Sequence, residues 1–151
     1  MLKFKRILLW SLPSFWTLFI FFVGSVNFND EMNNGNFLKR ITLNLRRFFL
    51  ERDGVIFKIV GLNLDKIYHF VQYLILASLI MFAVKNDLKK NFKFNLRLTF
   101  LIVFLIGMFD EIHQIFLKSR SCSLFDLFAN LSGVFLLYLL FNFKKLRTDG
   151  I

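Results

Sequence analysis

Cysteine and proline each occur once in the 151 residues, as Cys122 and Pro13. A single cysteine excludes an intramolecular disulfide, falls short of any cysteine-based metal motif, and says nothing about redox compartment. The chain also lacks internal repeats, low-complexity linkers, and the HExxH and GxSxG signatures that would fix a metal or a nucleophile. Acidic residues are few, 10 against 20 Lys and Arg, which leaves a net charge of +10. In a soluble protein that excess would suggest nucleic acid. Here the basic residues cluster beside apolar stretches and form no basic surface interleaved with aromatics, so nucleic acid is not expected as a partner.

Apolar residues dominate instead, at 56% of the chain with 23 Phe, too large a share for one water-soluble domain of this size. Four stretches, about Ile7 to Val26, Tyr68 to Val84, Leu98 to Leu117 and Leu124 to Phe143, each reach roughly the 17 to 25 residues that cross a bilayer. The expected architecture is all-α, an integral membrane bundle of four transmembrane helices forming a single membrane domain over residues 1–151. Between the first two spans, Ile41, Leu45, Phe48 and Phe49 have helical spacing, whereas Ile41, Leu43 and Leu45 alternate as in a strand. An amphipathic helix on the membrane surface is the expectation there, and an irregular polar loop the alternative. Lys3, Lys5 and Arg6 ahead of an apolar run, with the small residues around Gly24, resemble a signal peptide. The run is longer than a usual signal core, so an uncleaved first helix is expected.

Lys and Arg near short loops mark the cytoplasmic side. Lys3, Lys5 and Arg6, then Lys85, Lys89, Lys90, Lys93 and Arg97, then Lys144, Lys145 and Arg147 all fall on one side of a four-span chain. Both termini are thus expected in the cytoplasm, with the segment from Asn27 to Lys66 and the Lys118 to Ser123 turn outside.

Against this background, polar residues recur at three span ends: Asp65, Lys66, His69 and Tyr73; Asp110, Glu111, His113 and Gln114; Arg120, Asp126 and Asn130. The third span cannot end before its acids. Leu98 to Phe109 gives only about 18 Å of helix against about 30 Å of hydrocarbon, so Asp110, Glu111, His113 and Gln114 fall inside the outer third of the span. An acid at a span centre costs roughly 2.5 to 3.5 kcal/mol on insertion scales, and such residues are usually retained to pair, line a wet cavity or do chemistry. Under the four-span topology all three groups share the outer depth. Asp65, His69 and Tyr73, Asp110 and Gln114, and Asp126 and Asn130 are spaced i, i+4, so each set forms a one-sided column. Opposite charges are expected to pair, with Lys66 and Arg120 offsetting Asp110, Glu111 or Asp126, and His69 donating to a carboxylate. Ala129 and Gly133 offer a small-xxx-small face for close helix approach. Bland roles stand beside these. Asp65 can cap its helix, Ser123 and Asp126 can form a capping box, the histidines and Tyr73 can be interhelical hydrogen-bonding groups, and Lys66 and Arg120 can snorkel to the interface.

Asp65-Lys66-x-x-His69-Phe70-x-x-Tyr73, then Asp110-Glu111-x-x-Gln114-x-Phe116, then Arg120 with Asp126-x-x-x-Asn130-x-x-Gly133, resembles the pattern of VanZ-like membrane proteins over about residues 65–140. The chain departs from it where Lys118-Ser119 stand in place of the family's Pro-Gly before the arginine. The resemblance implies a multi-helix protein of the bacterial inner membrane, and a founding member linked to low-level resistance to teicoplanin. It implies no established reaction.

Three functional readings follow. The first is an envelope protein whose outer-leaflet polar cavity binds a membrane lipid, a lipid-linked envelope precursor or another amphiphile. In it Lys66 and Arg120 grip an anionic head group while His69, Tyr73, Asp110, Glu111, Gln114, Asp126 and Asn130 line and orient it. The second is an intramembrane hydrolase or transferase on a lipid-linked substrate, with His69 or His113 as base and Asp110 or Glu111 as acid, nucleophile or metal ligand. The third is a scaffold in which the layer only joins helices. The sequence assigns no metal, no cofactor and no protein partner.

Overall fold

The computed structural model describes residues 2–25, 37–116 and 124–148. These fold into six helices: α1 (Leu2–Gly24), α2 (Phe37–Leu50), α3 (Val55–Leu62), α4 (Leu64–Leu88), α5 (Phe92–Ile115) and α6 (Leu124–Thr148). Three of them, α1, α4 and α5, are long and apolar enough to cross a membrane, and the apolar part of α6, Phe125–Leu140, is shorter. Phe4, Phe15, Phe22, Phe109, Phe125 and Phe128 all lie exposed on the outside of this assembly. Such extended apolar surface is foreign to a water-soluble monomer and is what lipid contact requires. The chain is a multi-pass membrane protein.

Local chemistry sets the helix ends. Asn91 caps α5, its side-chain oxygen accepting from the Phe94 backbone N–H at 2.8 Å. Lys89, at φ 50° in the left-handed region, closes α4 just before it. Pro13 lies inside α1 without ending it. The Thr17 hydroxyl bonds the Pro13 carbonyl at 2.8 Å, the i−4 side-chain bond that Ser and Thr make within helices.

The α4–α5 pair forms the centre, with α1 and α6 on either side of it, each touching both. A stripe of Tyr73, Leu76, Ile80 and Val84 along α4 is buried at the three- and four-residue spacing of one helix face. It packs with Ile20 of α1, Val103 of α5 and Val134 of α6. In lipid there is little hydrophobic drive between helices, so close packing and polar contacts have to join them. Gly133 provides the closest packing. A Cβ built there would lie 2.7 Å from the Leu74 backbone nitrogen and 3.1 Å from the Phe70 carbonyl oxygen, so no larger residue fits where α6 crosses α4. Polar contacts secure α1. Trp16 donates to the Gln72 carbonyl at 3.0 Å, Trp10 donates to Asp87 Oδ2 at 3.2 Å, and Arg6 ion-pairs with Asp87.

Helices α2 and α3 pack mainly on each other. Gly54, at φ 129°, makes the turn between them, a conformation L side chains rarely adopt. Phe49 stacks on Phe57 at 6.4 Å, and the Arg52 guanidinium sits 4.2 Å above the Phe48 ring. The helical alternative for residues 41–49 is therefore the observed one, and α3 is an addition. Its eight residues are apolar enough to read in the sequence as an approach to the next span.

Candidate functional site

One end of the bundle collects polar side chains from three helices. The start of α4 supplies His69 and Tyr73, the end of α5 supplies Asp110, Glu111 and Gln114, and the first turns of α6 supply Asn130. All six are buried, Tyr73 and Asn130 completely and Asp110 at 1% exposure. The end of α1 closes the group from the opposite side to α6. Gly24 stands so near that a Cβ there would lie 3.2 Å from Asp110 Oδ1 and 4.0 Å from Gln114 Nε2.

Two hydrogen bonds across helices order the layer. His69 Nδ1 pairs with Asn130 Oδ1 at 3.2 Å, joining α4 to α6. The Tyr73 hydroxyl donates to Asp110 Oδ2 at 3.3 Å, joining α4 to α5. One ring nitrogen of His69 and one carboxylate oxygen each from Asp110 and Glu111 all lie within 4.8 Å of one another. Two amide nitrogens at the same depth, Gln114 Nε2 and Asn130 Nδ2, are buried without a hydrogen-bond partner among the described residues. Buried donors are normally satisfied, and leaving one idle costs about 1 to 3 kcal/mol. The layer thus combines buried acceptors with two amide donors that have no partner among the described residues.

The other predicted residues take different positions. Lys66 does not reach the buried acids. Its Nζ lies 3.2 Å from Asp65 Oδ2, and the Asp65 side chain is exposed, so the α4 column is polar at its tip and buried only from His69 inward. Charge complementarity alone favoured the distant acids, but a lysine meets the carboxylate next to it first. His69 likewise takes an amide as partner through Nδ1, where a carboxylate was expected. His113 is half-buried with its ring 5.6 Å from Phe21 in an edge-on arrangement. Asp126 is half-buried, and its Oδ1 has no hydrogen-bond partner among the described residues. Arg120, Cys122 and the Ser123 side of the proposed capping box lie outside the described residues.

Sequence reasoning missed Gln72, buried one position before Tyr73, whose amide donates to the Tyr68 hydroxyl at 2.6 Å. An amide inside an apolar run was the available signal. It also missed the buried pair Asn95 and Thr99 at the far end of α5.

The sequence model of the VanZ/LLP1 family matches residues 9–145. The chain belongs to the VanZ/LLP1 family. That match takes in α1 through most of α6, well beyond the 65–140 region that carries the polar motifs. All six buried layer residues and the Gly24 wall therefore lie within the part of the chain shared with VanZ/LLP1 proteins. No curated protein and no solved structure matches the chain significantly.

Proposed function

We propose that this VanZ/LLP1 protein is a four-span protein of the bacterial inner membrane whose polar layer opens to the outer leaflet and binds the head group of a lipid-linked or amphiphilic envelope ligand. The observation that carries this reading is the buried convergence of His69, Tyr73, Asp110, Glu111, Gln114 and Asn130, with two amide donors that have no partner among the described residues. Helices that only needed joining would use up their donors on one another. The 25 residues of α6 are long enough for a fourth crossing. With four crossings the Lys and Arg clusters share the cytoplasmic side with both termini. Helix α2, amphipathic and basic, then lies on the outer leaflet beside the mouth of the layer. Lys66 at the start of α4 and Arg120, which falls between α5 and α6 in the sequence, are two cations suited to an anionic head group. Cell-wall precursors and lipoglycopeptides such as teicoplanin have this chemistry, a charged polar head on an apolar tail.

The test is lipid and cell-wall-precursor profiling in a deletion strain rescued with wild type, Asp110→Asn or Lys66→Ala with Arg120→Ala. Accumulation of a defined lipid-linked species, reversed only by wild type, supports the reading. Rescue by every variant, each confirmed as folded and present in the membrane, overturns it. The proximity of His69 to two carboxylates favours a second reading, a hydrolase or transferase on such a lipid. Product formation that stops in Glu111→Gln would mark it.

A further inference from the structure

We propose that His69, Asp110 and Glu111 form a binding site for one divalent transition-metal ion of the zinc class. Their three ligand atoms, one nitrogen and two oxygens, come from α4 and α5 and lie within 4.8 Å of one another. An ion bound at about 2.0 to 2.2 Å holds its ligand atoms roughly 3 to 4 Å apart, so small side-chain rotations complete the shell. Imidazole with carboxylates is a donor set that suits zinc, and its two positive charges match the two carboxylates.

The surroundings are those of a ligand set held in place. A metal-bound histidine characteristically gives its other ring N–H to an oxygen acceptor. His69 Nδ1 is placed to do so toward Asn130 Oδ1, at 3.2 Å. In that tautomer Nε2 keeps a lone pair available to an ion. Asp110 is oriented in turn by the Tyr73 hydroxyl on Oδ2. A second observation points to what completes the shell. Gln114, 2% exposed, has an amide nitrogen without a hydrogen-bond partner among the described residues, and this nitrogen and Asp110 Oδ1 lie 4.0 and 3.2 Å from the point a Cβ on Gly24 would occupy. Three protein ligands leave a four-coordinate ion one open position. An anionic oxygen there would be bound by the ion and receive the Gln114 N–H.

The inference rests on reading the layer as a ligand chamber, but it is measured without lipid, so the two can fail separately. The full-length protein, purified in detergent and stripped with EDTA, is titrated with Zn2+ and separately with Mn2+ and freed of excess ion. Bound metal is then counted by elemental analysis, and thermal unfolding is followed in parallel. One Zn2+ per chain is expected, with an unfolding temperature that rises with ion concentration. At least a tenfold loss of affinity is expected in His69→Ala and in the near-isosteric Glu111→Gln, while Asp65→Asn and Asp87→Asn behave as wild type. Stoichiometric Zn2+ that survives in both site variants overturns the assignment, as does wild type holding no more ion than His69→Ala. Glu111→Gln keeps the side-chain volume, and its unfolding transition without metal shows whether it folds.

Discussion

Asp87 and Asp110 are the same residue placed near opposite ends of the bundle, and they do different work. Asp87, near the end of α4, takes the Arg6 guanidinium and the Trp10 indole of α1. Its side chain is 12% exposed and Arg6 is 62% exposed, so a full charge meets a full charge at the rim. Asp110 is buried and receives a neutral phenol from Tyr73, with Glu111 beside it and, at the same depth, two amide nitrogens that have no hydrogen-bond partner among the described residues. The first arrangement is closed on itself and ties α1 to α4. The second leaves two amide nitrogens without a hydrogen-bond partner among the described residues. Polarity within a membrane bundle therefore has to be judged by whether its donors and acceptors use each other up.

That contrast can be broken most directly by neutralising each aspartate. Asp110→Asn should abolish rescue of the deletion strain while leaving a folded protein, whereas Asp87→Asn should rescue fully. Equal rescue by both would erase the distinction. A fold-level effect of comparable clarity is expected at Gly133. The added methyl of Gly133→Ala would meet the Leu74 backbone at 2.7 Å, and overpacking of this kind costs about 1 to 3 kcal/mol. Thermal unfolding in detergent should register it as a lowered midpoint.

The Tyr73→Phe change sharpens the comparison by removing a single donor from the layer. Interhelical hydrogen bonds in membranes average about 0.6 kcal/mol and reach about 1.7, so a loss of about 1 kcal/mol is expected, with ligand or metal binding more affected than stability. A stability loss without any change in binding would make Tyr73 a purely structural contact. The smallest effect belongs to the rim. Arg6→Ala should cost about 0.2 to 1 kcal/mol, in keeping with an ion pair whose arginine is mostly exposed, and high salt should mask it.

The membrane bundle and the meeting of the polar groups were legible because helix length and span direction are arithmetic. Once Leu98 to Phe109 proves too short to cross, Asp110 and Glu111 must lie within a helix, and an antiparallel arrangement brings the start of α4 to the end of α5. Gly133 was legible as a close-approach residue from its small-xxx-small spacing with Ala129. Pairing was less legible. The sequence presents Lys66 and the acids as complementary, but which carboxylate a lysine meets depends on reach, and Asp65 is adjacent. His69 and Asn130 carry no opposite charges to draw them together in a one-dimensional reading. The break between α3 and α4 was hidden because Ile56, Ile59 and Leu62 continue the apolar character of the span that follows. Gly24 attracted notice only as one of three small residues, since its partner Asp110 lies on another helix.

The Gly133 contact also has a mechanical consequence. With the backbones of α4 and α6 in touch one turn inward of Asn130, these two helices cannot part there without unmaking the bundle. Anything approaching between them from the Asp110 end meets a stop about 4.5 Å, three residues of helix rise, beyond Asn130. A long chain cannot thread down that seam.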